Sequence, residues 1–226
     1  MAYPTHIAAT LSGATLGQLA YWRRAHGDGP LLAPELGSDG GRLLYSFRDV
    51  VALRTFVYLR ESLPLQRIRK AVHSLRELTA DDRGVDRHGF SATHLSQYEL
   101  YAAGDSVVWR RPDGFVDLVE NPGSYRLQAV MEDVFGPFRN MQGADVVALF
   151  APRPNVQVDP ETQGGYPVIK GTRIEFDLVS SLVRDGVRPA EIAEFYPAVT
   201  EAAALDAADF ADLVDAYRSG SVPKAS

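Results

Sequence analysis

A Ser12-Gly13-Ala14 break divides residues 5–24, THIAATLSGATLGQLAYWRR, into two short helical pieces that a tight turn folds onto one another. Before the break, Ile7, Ala8 and Leu11 share one helical face. After it, Thr15 is an N-cap, and Leu16, Leu19, Ala20 and the stem of Arg23 turn inward. Gln18, Tyr21, Trp22 and Arg24 are left toward an outer face. Glutamine reads base edges, arginine takes a phosphate or a guanine, and a tyrosine hydroxyl reaches the backbone of a duplex. The spacing therefore predicts a helix-turn-helix whose second helix meets DNA. A helical hairpin with Tyr21 and Trp22 in its core fits the same pattern, because such patterns are degenerate.

Residues 25–47 are punctuated by Gly27, Gly29, Pro30, Pro34, Gly37 and Gly40-Gly41, which separate two short apolar pieces. This predicts a small hairpin with Arg42 placed to touch a phosphate. Ser46 with Asp49 three residues on forms a capping-box-like start for a helix over about residues 46–62, carrying Phe47, Val50, Leu53, Phe56 and Val57 inward. Pro64 opens the next helix, where Leu65, Ile68, Val72, Leu75 and Leu78 form a stripe and Arg67, Arg69, Lys70 and Arg76 occupy the other faces.

The net charge of −6 is unevenly spread. Up to Thr79 there are ten Lys and Arg against six Asp and Glu; the rest of the chain carries thirteen against twenty-three. A basic head on an acidic body fits a DNA-binding unit followed by a regulatory or partner-binding region. The absence of cysteine removes disulfides, thiolate metal sites and cysteine nucleophiles together. His6, His26, His73, His88 and His94 show no metal-ligand spacing, so no metal and no cofactor is expected. No apolar run approaches a membrane span and no basic-then-apolar leader opens the chain; the expectation is a cytoplasmic protein with no membrane contact.

The order of helix, turn and helix ending in Leu19-Ala20-Tyr21-Trp22-Arg23-Arg24, then a Pro-rich hairpin, Arg42-Leu43-Leu44-Tyr45-Ser46-Phe47-Arg48-Asp49, Leu53-Arg54 and Leu65-Gln66-Arg67-Ile68-Arg69, resembles the MerR-type winged helix-turn-helix. The resemblance covers residues 1–79. It implies operator binding as a homodimer, with DNA contacts from Tyr21, Trp22 and the wing residue Arg42. Two departures stand out: Ala20 replaces an arginine common in that family, and the wing reads R-x-x-Y rather than R-x-Y.

Residues 80–152 form a middle region. A polar, turn-rich stretch at 80–90 reads as a linker or loop. Val107-Val108-Trp109-Arg110 and Phe115-Val116-Asp117-Leu118-Val119 flank Arg111-Pro112-Asp113-Gly114 and predict a β-hairpin. Leu127, Val130, Met131, Val134 and Phe135 have helical spacing, and Val146, Val147, Leu149 and Phe150 read as a short buried strand. Trp109 or Tyr125 is placed to line an effector pocket, although aromatics in such segments are mostly core.

Residues 153–226 read as a strand at Val156 and Val158, a glycine-punctuated loop, a strand at Ile174-Glu175-Phe176 and three helices, from Asp177, from Pro189, and after a Thr200 cap. The loop is not a Walker phosphate cradle, since Lys170 precedes Gly171 and the order G-x-x-x-x-G-K-[ST] is absent. GYPVIKGTRI, with Pro167, Gly171, Thr172 and Arg173, resembles the small C-terminal domain of unknown function in antitoxins paired with PIN-domain ribonucleases, as do Gly186, Pro189, Ile192 and Tyr196-Pro197.

The expected fold is mainly α with small β elements (α+β). With a MerR-like head, the chain resembles VapB-type antitoxins of toxin–antitoxin pairs. That resemblance implies a non-enzymatic repressor that neutralises a cognate PIN-domain toxin, with Arg139, Arg153 and Arg218 as candidates to enter the toxin's carboxylate cluster. The alternative is a stand-alone MerR-like regulator answering to a small molecule.

Overall fold

The computed structural model describes residues 2–25, 29–80, 94–103, 105–111, 114–119, 125–126 and 134–222. Its architecture is α+β, as expected.

The chain opens with strand β1 (Tyr3–Pro4) and helix α1 (Thr5–Ser12), turns at Gly13, and continues into α2 (Leu16–Trp22). Gly13 is left-handed at φ 77°, and a Cβ on it would lie 2.4 Å from Val146 Cγ2, so backbone conformation and close packing both require glycine here. Thr15 and Gln18 close a capping box on α2. Strands β2 (Ser38–Asp39) and β3 (Arg42–Tyr45) pair through Asp39↔Arg42, leaving the two-residue loop Gly40-Gly41 with φ 53° and 80°, the type I′ pattern. Strand β3 also pairs with β1, Tyr3 opposite Tyr45, which ties the hairpin to the start of the chain.

Helix α3 (Phe47–Leu59) begins at the expected Ser46–Asp49 capping box, and α4 (Leu65–Leu78) follows with Pro64 at its N-cap. An antiparallel meander comes next: β4 (Glu99–Ala103), β5 (Ser106–Arg111), β6 (Gly114–Asp117) and β7 (Tyr125–Arg126). The expected hairpin is its β5–β6 pair. The helix expected from Leu127 falls largely outside the described residues. A small hairpin of β8 (Phe138–Arg139) and β9 (Asp145–Val146) packs on the α1–α2 turn, where Asn140 Nδ2 donates to the Gly13 carbonyl at 3.1 Å.

The buried strand expected over Val146–Phe150 is confined to Asp145–Val146: Phe150 is exposed, its ring lying against Phe47 and Phe135 at the surface. Strands β10 (Val156–Gln157) and β11 (Val168–Ile169) precede α5 (Phe176–Arg184), α6 (Ile192–Phe195) and α7 (Glu201–Ser219). The strand expected at Ile174-Glu175-Phe176 is a single bridge, Val168 to Glu175. Phe176 instead begins α5, because its ring is buried edge-on against Phe210 of α7.

One hydrophobic cluster runs from Tyr3 through Trp22, Phe56, Leu75 and Leu149 to Phe176, Phe210 and Tyr217. The segments expected as separate units at 1–79, 80–152 and 153–226 thus bury side chains together. Tyr3 on β1 donates to the Gly165 carbonyl at 2.7 Å, and helix α7 packs along α1. Among the described residues no helix is long and apolar enough to cross a membrane.

Candidate nucleic-acid interface

The α1–turn–α2 unit and the β2–β3 hairpin expose part of the predicted contact set and hide the rest. Tyr21 is 43% exposed, and the Arg69 guanidinium of α4 sits over its ring, 5.4 Å from the centroid. Arg24 is exposed just past the end of α2, and Arg42 is exposed at the tip of the hairpin, directly after the glycine pair. Arg23 lies beside the Tyr45 hydroxyl on β3, so the end of α2 and the hairpin strand are neighbours. Burial pushes the Tyr45 phenol up, against a smaller downward pull from Arg23.

Trp22 does not belong to this surface. It is 2% exposed, its indole stands edge-on to Phe56 of α3 at 6.0 Å, and its carbonyl accepts from the N–H groups of Leu31 and Leu32. The returning segment before the hairpin is tied to the end of α2 through the Trp22 carbonyl, while the indole itself turns toward α3. Tyr21, one residue earlier and about 100° round the helix, stays outside. Gln18 is also less available than its position implied. Its Oε1 accepts from Thr15 N at 2.8 Å in the capping box, whereas bidentate adenine reading needs oxygen and nitrogen together.

The basic residues of α4 divide similarly. Arg67 donates to the Asp105 carbonyl and Arg76 to the carbonyls of Pro30 and Leu31, binding the meander and the pre-hairpin segment to the helix. Arg69 and Lys70 lie on the Tyr21 side and the exposed side respectively. Arg69, on a charged face that sequence read as solvated or lining a duplex, reaches the candidate surface through its contact with the Tyr21 ring.

Of the arginines assigned to a protein partner, Arg139 is exposed and faces Asp145 at 3.4 Å, a surface pair of little energetic weight. Arg218 is exposed on the last turn of α7. Arg153 is withdrawn from that role: it is mostly covered and already bonded to Asp209 of α7 and to the Pro152 carbonyl.

The C-terminal motif builds a turn. Thr172 N and Thr172 Oγ1 both donate to the Ile169 carbonyl, at 3.0 and 2.9 Å, and Gly171 takes φ 76° at the third turn position, which demands a left-handed residue. Pro167 is buried, and Arg173 is exposed.

A cavity of about 430 Å³ opens beside the start of α2, between Thr15–Gly17, residues 140–144 of the β8–β9 hairpin, and the end of α7. Tyr217 lines it with a buried hydroxyl that has no hydrogen-bond partner. Burial pushes that phenol up to about 12, against a smaller opposing field from Arg54.

Residues 156–211 match the family described as "Protein of unknown function (DUF433)". This match lies within the part of the chain that carries the GYPVIKGTRI turn. No curated protein matches the sequence. Among solved structures, the X-ray crystal structure of Rv2018 from Mycobacterium tuberculosis is similar, with 18% identity, 92% of this chain and 97% of that chain covered, and a TM-score of 0.45.

Proposed function

We propose that the chain is a DNA-binding antitoxin: a cytoplasmic homodimeric repressor whose winged helix-turn-helix head silences its own operon and whose remaining surface neutralises a PIN-domain ribonuclease. The observation that carries the DNA-binding half is the set Tyr21, Arg24 and Arg42, exposed on α2 and at the tip of a hairpin whose strand borders it. Phosphate-contacting arginines from a helix end and a wing fix a protein's register on a duplex. The partner half is supported by the DUF433 match, a domain often found in toxin–antitoxin-like proteins. Arg139 and Arg218 are the exposed cations offered to the toxin's carboxylates.

Two experiments test the halves separately. Fluorescence anisotropy with DNA from upstream of the gene, over a salt series, should show binding that Arg24→Ala and Arg42→Ala weaken, each reducing the salt slope by about one. Unchanged binding in both single variants and the double variant removes the DNA assignment. Co-expression with the neighbouring gene product should give a stable complex and abolish RNA cleavage; failure of both removes the antitoxin assignment.

The second reading, a MerR-like regulator that senses a small molecule, is favoured by the cavity at the start of α2. Strong stabilisation by a metabolite in a thermal-shift screen, with no protein partner, selects it.

A further inference from the structure

The cavity of about 430 Å³ at the start of α2 is walled by three parts of the chain that are far apart in sequence: residues 15–17, residues 140–144 of the β8–β9 hairpin, and the end of α7 with Val222 just beyond it. Small-molecule sites span about 300–1,000 Å³, so its size is that of such a site. Leu16, Ala144, Tyr217 and Val222 give it an apolar wall. The Tyr217 hydroxyl has almost no exposed surface, so this residue offers an occupant its ring.

The charge around the cavity is one-sided. In a chain with 29 Asp and Glu against 23 Lys and Arg, the lining among the described residues contains no carboxylate side chain and one cation, Arg218. Arg218 is exposed and makes no hydrogen bond or ion pair among the described residues. The acids before it on α7 are engaged elsewhere: Asp209 with Arg153, and Asp212 and Asp215 with Arg184 at 2.9 and 2.8 Å.

Three other polar side chains of the lining are already engaged. Asn140 Oδ1 accepts from the N–H groups of Gln142 and Ala144 at 3.1 and 3.0 Å, and its Nδ2 donates to the Gly13 carbonyl. Ser219 Oγ donates to the Asp215 carbonyl at 2.8 Å. Thr15 Oγ1 accepts from Gln18 N at 3.1 Å, which leaves the hydroxyl proton to donate. With the Gln142 amide, the Arg218 guanidinium and the Thr15 proton, donors outnumber acceptors in what remains for an occupant.

We propose that this cavity binds a small organic carboxylate, its apolar body held between α2, the hairpin and α7 and its carboxylate on Arg218. A guanidinium meets a carboxylate through two parallel hydrogen bonds, and the apolar wall takes the body out of water. The inference rests on the second reading above, small-molecule sensing, and not on the toxin assignment. An occupant touches the capped start of α2 and the last turn of α7 at once, so it ties the candidate DNA-contacting helix to the C-terminal helix.

The test is calorimetric titration of the full-length protein at neutral pH with 2-naphthoate as the probe and 2-naphthamide as its uncharged match. The expected result is one equivalent of naphthoate, bound at least about fivefold tighter than the amide, and loss of that preference in Arg218→Gln. Gly17→Leu puts a side chain at the cavity wall where, beyond the backbone of α2 itself, a Cβ meets only Thr15 Oγ1, at 3.8 Å. It should weaken both molecules about tenfold or more by filling the space. Arg188→Gln, which removes an exposed arginine outside the lining, should bind both as the wild type does. Equal affinity for acid and amide, or a preference that survives Arg218→Gln, overturns the carboxylate assignment and leaves the second reading with another ligand class. No binding of either molecule, or binding unmoved by Gly17→Leu, overturns the site. Failure of the second reading alone shows differently: naphthoate binds as expected and leaves the anisotropy of the upstream DNA fragment unchanged. Circular dichroism reports folding of the variants; if Gly17→Leu does not fold, the exposed Arg218→Gln decides alone.

Discussion

The Arg54 guanidinium of α3 donates to the carbonyl of Leu11, in the last turn of α1, at 2.7 Å. It is fully buried, and its other donors reach the carbonyls of Val134, Gly136 and Val147, while the Phe138 ring lies 4.9 Å from its carbon. One cation thereby satisfies a helix end and holds the segment before and after the β8–β9 hairpin against the helix-turn-helix.

Replacing Arg54 by Met keeps much of the volume and strands these carbonyls in the interior. The expected loss is about 3 kcal/mol or more, since each unsatisfied buried acceptor costs about 1–3 kcal/mol. Urea denaturation monitored by circular dichroism measures it; a loss below about 1 kcal/mol removes Arg54 from this role.

Gly13→Ala should destabilise for two separable reasons, the left-handed backbone and the collision with Val146. The backbone part is about 1–2 kcal/mol. Val146→Ala in the same chain should recover the collision part and leave the backbone part, so the double-mutant cycle is non-additive. Additive losses would show that Val146 does not press on the turn.

Trp22→Ala should cost about 3–5 kcal/mol of stability by emptying the site beside Phe56. Because the indole is away from the surface, binding to the operator fragment should keep its salt slope under conditions where the variant is folded. A reduced slope would return Trp22 to the contact set.

Burial holds the His6 imidazole below its ordinary value of 6.5, and Arg218 lowers it further, against smaller upward pulls from Asp215 and Asp177. The unfolded chain then binds this proton more tightly than the folded one, so stability falls as pH drops below 6.5. His6→Gln removes that contribution. Urea midpoints at pH values either side of 6.5 should show a shallower decline for the variant than for the wild type, and equal declines would contradict the assignment.

Much of the candidate interface was legible because it rests on short-range chemistry. The Thr15 cap, the Ser46–Asp49 capping box, the glycine pair before Arg42 and the Thr200 cap involve residues one to four apart, and all four appear where the spacing puts them, whereas the partnership of Gln18 with Thr15 was not read from it. Trp22 was not legible. Its indole packs edge-on against Phe56 of α3, and no periodicity within α2 records that partner. Arg54 stood in the sequence as one residue of a motif, and its four carbonyl acceptors lie up to 93 positions away.

The sequence by itself determined the α+β class, the starts of α2, α3, α4 and α7, and the β2–β3 and β5–β6 hairpins, since propensity, capping and left-handed glycines act within one turn of chain. The tertiary structure decided which of Tyr21 and Trp22 faces solvent, brought Arg69 beside Tyr21, and set the start of α2, the β8–β9 hairpin and the end of α7 around one cavity. Burial and proximity depend on what other parts of the chain supply, and a helix two turns long carries no record of the neighbour that will cover it.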